Sequence, residues 1–267
     1  MVSRSLDIGA KYPARLREEI LAARDAARAA GDVVDSLLIH TSYRRASEAQ
    51  ITQKDYGEAL KVVRTLLPDV SHMEIPLRNG TRLFPSSFRN LHKLVLSRSG
   101  TGLTRPPTII PPLPPSLEYL HLRHLETDGF SSMCPNLKTL LLTAVTFPEP
   151  DYLIRCLRDT PALEILGLSC VRDSLTPTTS AKIPATVKHV YSSDSTSRGA
   201  LAALPDTVSS LTYVEPAHLL TRHSQLSGLS YSCHKKKISF TRKEEACRRG
   251  PHYPVEAWAE EKLKGIA

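Results

Sequence analysis

The side chains that could do chemistry are few and poorly grouped. His121 and His124 stand as H-x-x-H, a spacing that on a helix can bring two imidazoles to one metal ion, whereas on a strand residues three apart point to opposite faces. The surrounding "LEYLHLRHL" alternates leucine as a strand does, so this pair does not grip one ion. "SGLSYS", Ser227 to Ser232, places a serine two residues after a glycine but lacks the second glycine of a nucleophile elbow. The five cysteines, Cys134, Cys156, Cys170, Cys233 and Cys247, are odd in number and include no C-x-x-C pair, so neither a disulfide framework nor a zinc site is implied. A glycine-rich phosphate loop, an H-E-x-x-H helix and a spaced acid pair are all missing from the sequence. The expectation is a protein that is not an enzyme and holds no metal or cofactor.

What remains is the chemistry of recognition. The formal net charge is +8, and it is concentrated. Between His234 and Gly250 stand Lys235, Lys236, Lys237, Arg242, Lys243, Arg248 and Arg249, against Glu244 and Glu245 alone. Such a cluster suits a nuclear import address or contact with nucleic-acid phosphates. Only Phe240 is interleaved as an aromatic, so nucleic acid is not the first expectation. No run approaches the roughly 18 apolar residues of a membrane span, and "MVSRSLDIGAKYPARL" has no apolar signal core. Unpaired cysteines and no leader point to the cytoplasm or nucleus.

The elements that must position these residues are announced by a repeat. In "SLEYLHLRHL" the leucines Leu117, Leu120 and Leu122 stand as L-x-x-L-x-L. The same triplet returns in "NLHKLVLS", "NLKTLLLT" and "ALEILGLS". Weaker copies occur in "VDSLLI", "VSHMEI", "VSSLTY" and "LSGLSY", and a degenerate one in "VKHVYS", which makes nine. First positions from Val70 onward are spaced by 21, 26, 20, 26, 24, 21 and 18 residues, close to the 20 to 29 residues of a leucine-rich repeat. Prolines precede several triplets, in "PPLPPS", "MCPN", "DTPA", "KIPAT" and "LPDT", and argue for strands entered from turns rather than for helices. The expected fold is therefore an α/β leucine-rich-repeat solenoid: a curved parallel sheet with helices and extended turns on its outer side. Residues 1–30 would supply a strand, "SLDI", and a capping helix over about Ala14 to Ala30, residues 31–233 the solenoid, and residues 234–267 a basic tail. A further helix is expected in "QKDYGEALKVVRTLL" and another at Asp151 to Arg158. The tail would end in a short helix whose Val255, Trp258 and Leu263 dock on the final coil.

"LIRCLRDTPALEILGLSCV" and "SSMCPNLKTLLLTAV" resemble the irregular repeats of fungal-type F-box/leucine-rich-repeat proteins, in which a "CPNL" or "TPAL" turn precedes the strand. "SRSLDI" resembles the first strand after an F-box. The resemblance runs from about Leu6 to Tyr231. It implies that the repeats select a ubiquitination substrate that the F-box delivers to a Skp adaptor of a ubiquitin ligase. The F-box would stand ahead of "SRSLDI", where only Met1 and Val2 are found, so the resemblance carries the substrate-binding half and not the Skp contact. The asparagine usual at the ninth repeat position is replaced by Leu125, Val145 and Val171, and no buried asparagine ladder is expected.

If repeat positions four and six point inward, positions three, five and seven face the concave, solvent side. That rule places His72, Glu74, Lys93, Tyr119, His121 and Arg123 side by side, polar, aromatic and basic types that suit a protein partner. Leu141 and Ile165 would form an apolar patch beside them.

Overall fold

The computed structural model describes residues 3–9, 13–40, 65, 69–77, 88–98, 110, 112–127, 134–171, 175–193, 200, 203–215, 230–244 and 255–265. Ten strands form one sheet, parallel throughout and in chain order: β1 (Ser3–Gly9), β2 (Val33–His40), β3 (His72–Leu77), β4 (Lys93–Arg98), β5 (Tyr119–Arg123), β6 (Thr139–Thr143), β7 (Ile165–Ser169), β8 (His189–Ser192), β9 (Ser210–Glu215) and β10 (Ser239–Glu244). A parallel neighbour in sequence order requires the chain to return over one side after every strand, which makes each strand and its return one coil.

The repeat spacing dictates the packing. First positions Val70, Leu91, Leu117, Leu137, Leu163, Val187 and Val208 are each at most 2% exposed. Fourth positions lie opposite one another across the sheet, with Leu94 beside Leu120, Leu140, Leu166, Val190 and Leu211 in turn. Together they form a continuous core, in which each buried leucine contributes about 1.5–3 kcal/mol. Every first residue from Leu91 to Val208 donates its N–H to the carbonyl three residues back, as Leu117 does to Pro114 and Leu163 to Thr160. Those are the turns that the prolines announce; Pro115, Pro135 and Pro161 hold the second turn position, where a fixed φ suits a type I or II turn.

A second regularity follows the strand. His124, Ala144 and Cys170, all at the eighth position, have φ of 54°, 50° and 54°. Each donates its N–H to the seventh residue of the next coil: His124 to the Thr143 carbonyl, Ala144 to the Ser169 carbonyl and Cys170 to Ser193 Oγ. The left-handed residue turns the chain, and Leu125, Val145 and Val171 then enter the core at 1–2% exposure.

Helix α1 (Pro13–Ala29) crosses from β1 to β2 and packs against both, burying Ile20 and Ala27. It ends where Gly31, at φ 74°, lets Asp32 N–H reach the Ala27 carbonyl and its own N–H reach that of Arg28, a Schellman closure. Because β1 pairs with β2 along its length, the first thirty residues form the first coil of the sheet. Helix α2 (Pro150–Arg158) buries Leu153, Cys156 and Leu157 on the outer side, and a single turn α3 (Pro177–Ser180) is capped by Thr176. Apart from Thr65, "QKDYGEALKVVRTLL" lies outside the described residues.

Two expectations about the C-terminal part need correction. In "LSGLSY" the described residues Ser230 and Tyr231 are helical, and Tyr231 is 70% exposed, so this copy is not a strand. The last strand comes from inside the basic segment: β10 pairs with β9, placing Phe240 beside Leu211 and Arg242 beside Tyr213. Phe240 packs on the core. Helix α4 (Val255–Lys264) does not cap the final coil but lies on the other face of the sheet, against β6 and β7.

Candidate functional site

The sheet face opposite the core is built from positions three, five and seven, and the register brings the expected residues together. His72, Lys93 and Tyr119 are neighbours in one row; Glu74, Val95 and His121 form the next; Ser97 and Arg123 lie side by side. The rows continue through Thr139, Leu141 and Thr143 to Ile165, Gly167 and Ser169. The alternation rule therefore gives the membership of the face correctly. The expectation that it is solvated fails, since Tyr119 is 6% exposed and His121 not at all.

Helix α4 is the reason. Val255, Trp258 and Ala259 are 2%, 1% and 0% exposed and form, with Val95, Tyr119, Leu141, Ile165, Tyr191 and Val214, a hydrophobic cluster separate from the core of the coils. Trp258 stacks at a tilt on Tyr191, with ring centroids 5.3 Å apart, and donates its indole N–H to Thr212 Oγ1 at 3.0 Å. Gly167 makes room for the helix, because a β-carbon there would stand 2.7 Å from Val255 Cγ2. The first turn of α4 thus lies over fifth positions of the strands, while Glu260 reaches Lys93 at a third position.

One flank of α4 is acidic and meets the basic end of the face. Arg123 holds Glu74 through Nη1 and Glu256 through Nη2, both at 2.9 Å, and donates from Nε to His121 Nδ1 at 3.1 Å. With Nδ1 accepting, the His121 proton sits on Nε2, 2.9 Å from Thr143 Oγ1. Burial, and then the Arg123 charge, hold this imidazole far below its ordinary pKa. Its 3.3 Å approach to Glu256 is therefore not an ion pair; the guanidinium beside it carries the charge. Lys93 lies 3.6 Å from Glu260 and 4.7 Å from the centre of the Tyr119 ring. Burial, then Glu256, pushes the Tyr119 hydroxyl well above its usual range. Burial, then Lys93, lowers His72, whose Nε2 is buried with no hydrogen-bond partner among the described residues. His189 is lowered by burial and then by Lys262 of α4.

The basic residues of the C-terminal segment are described only in part. Lys235 and Lys237 are exposed, whereas Lys236 donates to the Leu204 carbonyl at 2.6 Å and lies 3.5 Å from Asp206. Arg242 and Lys243 belong to β10, and Arg248 and Arg249 lie outside the described residues. Among the described residues no three His, Cys, Asp or Glu side chains are grouped to hold a metal. Burial raises the thiols of Cys134 and Cys233 to about 11.

Ten parallel strands in chain order, leucines stacked at fixed positions and a turn before each strand define the architecture. The fold is a leucine-rich-repeat solenoid. Solenoids of this kind present an extended concave surface that serves as a binding scaffold. No family model matches the chain, and no curated protein matches it significantly in sequence. Among solved structures it is similar to the leucine-rich repeat-containing protein LegL7 of Legionella pneumophila, at 13% identity and a TM-score of 0.47, over 100% of this chain and 98% of that one.

What the sequence rule missed is the occupant. The signal was present as Val255, Trp258 and Ala259 on one stripe of a helix, with Glu256 and Glu260 four apart beside it.

Proposed function

We propose that this protein is a non-enzymatic scaffold of the cytoplasm or nucleus that recognises a protein partner on the concave face of its solenoid, through His72, Glu74, Lys93, Tyr119, His121 and Arg123. The observation that carries this reading is the seating of α4: the face between β4 and β9 accepts an α-helix with an apolar floor, a shaped glycine position and a charged rim. In the finer form of the proposal, this face selects a ubiquitination substrate as the repeats of an F-box protein do, and any link to a Skp adaptor runs through a part of the protein other than these coils. A role through basic residues on nucleic acid has less support, since Lys236 is engaged within the fold and only Phe240 is interleaved as an aromatic.

Affinity capture from cells with quantitative mass spectrometry tests the reading. The full chain is compared with a Lys93→Glu/Arg123→Glu variant and with a Lys235→Gln/Lys237→Gln variant. Partners lost with the first pair and kept with the second are ligands of the concave face. A Skp adaptor among the proteins recovered with all three chains would support the ligase assignment. Identical recoveries from the first variant and the wild type would refute recognition by this face.

A further inference from the structure

Covering the concave face with its own helix costs the protein that surface unless the helix can leave. The contacts of α4 favour a removable occupant. Its apolar side chains form a cluster of their own, distinct from the core that joins the coils, so lifting the helix leaves the stacked leucines intact. Its outer side is bare, with Ala257, Glu261 and Lys264 exposed. Its charged flank is a partly solvated rim, with Lys93 and Glu260 32% and 57% exposed, the kind of contact that salt and charge reversal weaken.

We propose that α4 is an internal competitor that closes the partner site, and that the partner is a protein presenting an amphipathic helix of the same pattern: an apolar residue and an acid, then an aromatic, a small residue and a second acid four after the first. This rests on the concave-face reading above. The pattern follows from what the face offers. Arg123 and Lys93 are spaced to meet acids one helical turn apart. Thr212 and Tyr191 receive an indole. Gly167 and Leu141 admit a side chain of valine size next to a close helix backbone. Residues i, i+3 and i+4 share one helix face, which sets Val255, Trp258 and Ala259 on the sheet and Glu256 with Glu260 along one edge.

The single tryptophan of the chain reports the position of α4 directly. In the full-length wild type, Trp258, 1% exposed, should emit with a blue shift and be shielded from acrylamide. In full-length Glu256→Lys/Glu260→Lys it should shift to the red and become quenchable, with far-UV circular dichroism retaining the strands. A fluorescently labelled peptide of residues 245–267 then serves as the partner probe. It should bind full-length Trp258→Ala, and the charge-reversed chain, on the order of tenfold or more tightly than the wild type, where the tethered copy competes. A peptide carrying the two lysines should lose binding. Trp258 shielded equally in the charge-reversed chain would overturn the removable helix. Release of Trp258 with no peptide binding to either open variant would overturn recognition of a helix, while the capture experiment would still judge the concave face for other ligands. A wild-type chain that runs as a dimer exchanging α4 between copies would overturn the external partner.

Discussion

A methyl group at Gly167 tests how closely α4 is seated. The β-carbon of Gly167→Ala would stand 2.6 Å from Leu141 Cδ2 on the neighbouring strand and 2.7 Å from Val255 Cγ2 on the helix. Leu141 and Val255 are 0% and 2% exposed, so neither side chain can rotate into solvent to make way. Inserting a methyl into such a site costs about 1–3 kcal/mol. Removing a glycine from a strand returns about 0.5–1 kcal/mol. The expected net destabilisation is therefore about 0–2.5 kcal/mol, and its origin can be divided with Val255→Ala. That change alone should destabilise by lost burial, but in the Gly167→Ala background it also removes the clash with the helix. The double mutant should then be more stable than the sum of the single effects by about 1 kcal/mol, beyond the 0.3–0.5 kcal/mol within which independent sites add. Urea unfolding followed by circular dichroism and by Trp258 emission supplies both the energies and the position of the helix. Additive effects, or a Gly167→Ala protein more stable than the wild type, would refute the seating of Val255 against this glycine.

Other consequences follow from the same geometry. Leu122→Asp places a carboxylate at a position with no exposure and should cost several kcal/mol or unfold the chain, read by circular dichroism; a folded variant of wild-type stability would overturn the register. His121 is held neutral, with its folded pKa below the unfolded value of about 6.5. Its contribution to stability is complete above that pH and declines as pH falls below it, by up to about 1.4 kcal/mol per pH unit. Denaturation midpoints from pH 7 to 5 should therefore fall less steeply in His121→Gln than in the wild type, and parallel curves would refute a buried neutral imidazole. Cys134 and Cys233, buried and raised to about 11, should react with iodoacetamide at pH 8 far more slowly than exposed Cys170, as mapped by peptide mass spectrometry; equal labelling would contradict their burial.

The coils were legible in the sequence because one physical demand repeats in each of them. A short strand must bury its first, fourth and sixth residues and must be entered from a turn, so leucine spacing and proline placement carry the same message twice. The message fails at the C-terminal end, where the demand changes. The terminal coil has one neighbour instead of two, and β10 carries Phe240 and Arg242 at the fourth and sixth positions, which no leucine template would find. "LSGLSY" fits the template in composition alone, and its Tyr231 is exposed. The concave face shows a different limit. Alternation fixes which residues line it, yet cannot say what covers it, because α4 meets β4 to β9 across separations of up to 167 residues, from Lys93 to Glu260. Two observations could have been joined in advance: apolar Val95, Leu141, Ile165 and Val214 on a face expected to be solvated, and a C-terminal helix whose Val255, Trp258 and Leu263 need an apolar surface to dock on.

Covalent attachment of α4 also limits what can displace it. Ten residues separate the end of β10 from the start of α4, and a short tether holds its cargo at an effective concentration on the order of millimolar. A free helix that made only the contacts of α4 would have to reach about that concentration to compete, whatever the intrinsic affinity, because both copies gain equally from the groove. A partner working at lower concentration must therefore touch something that α4 does not.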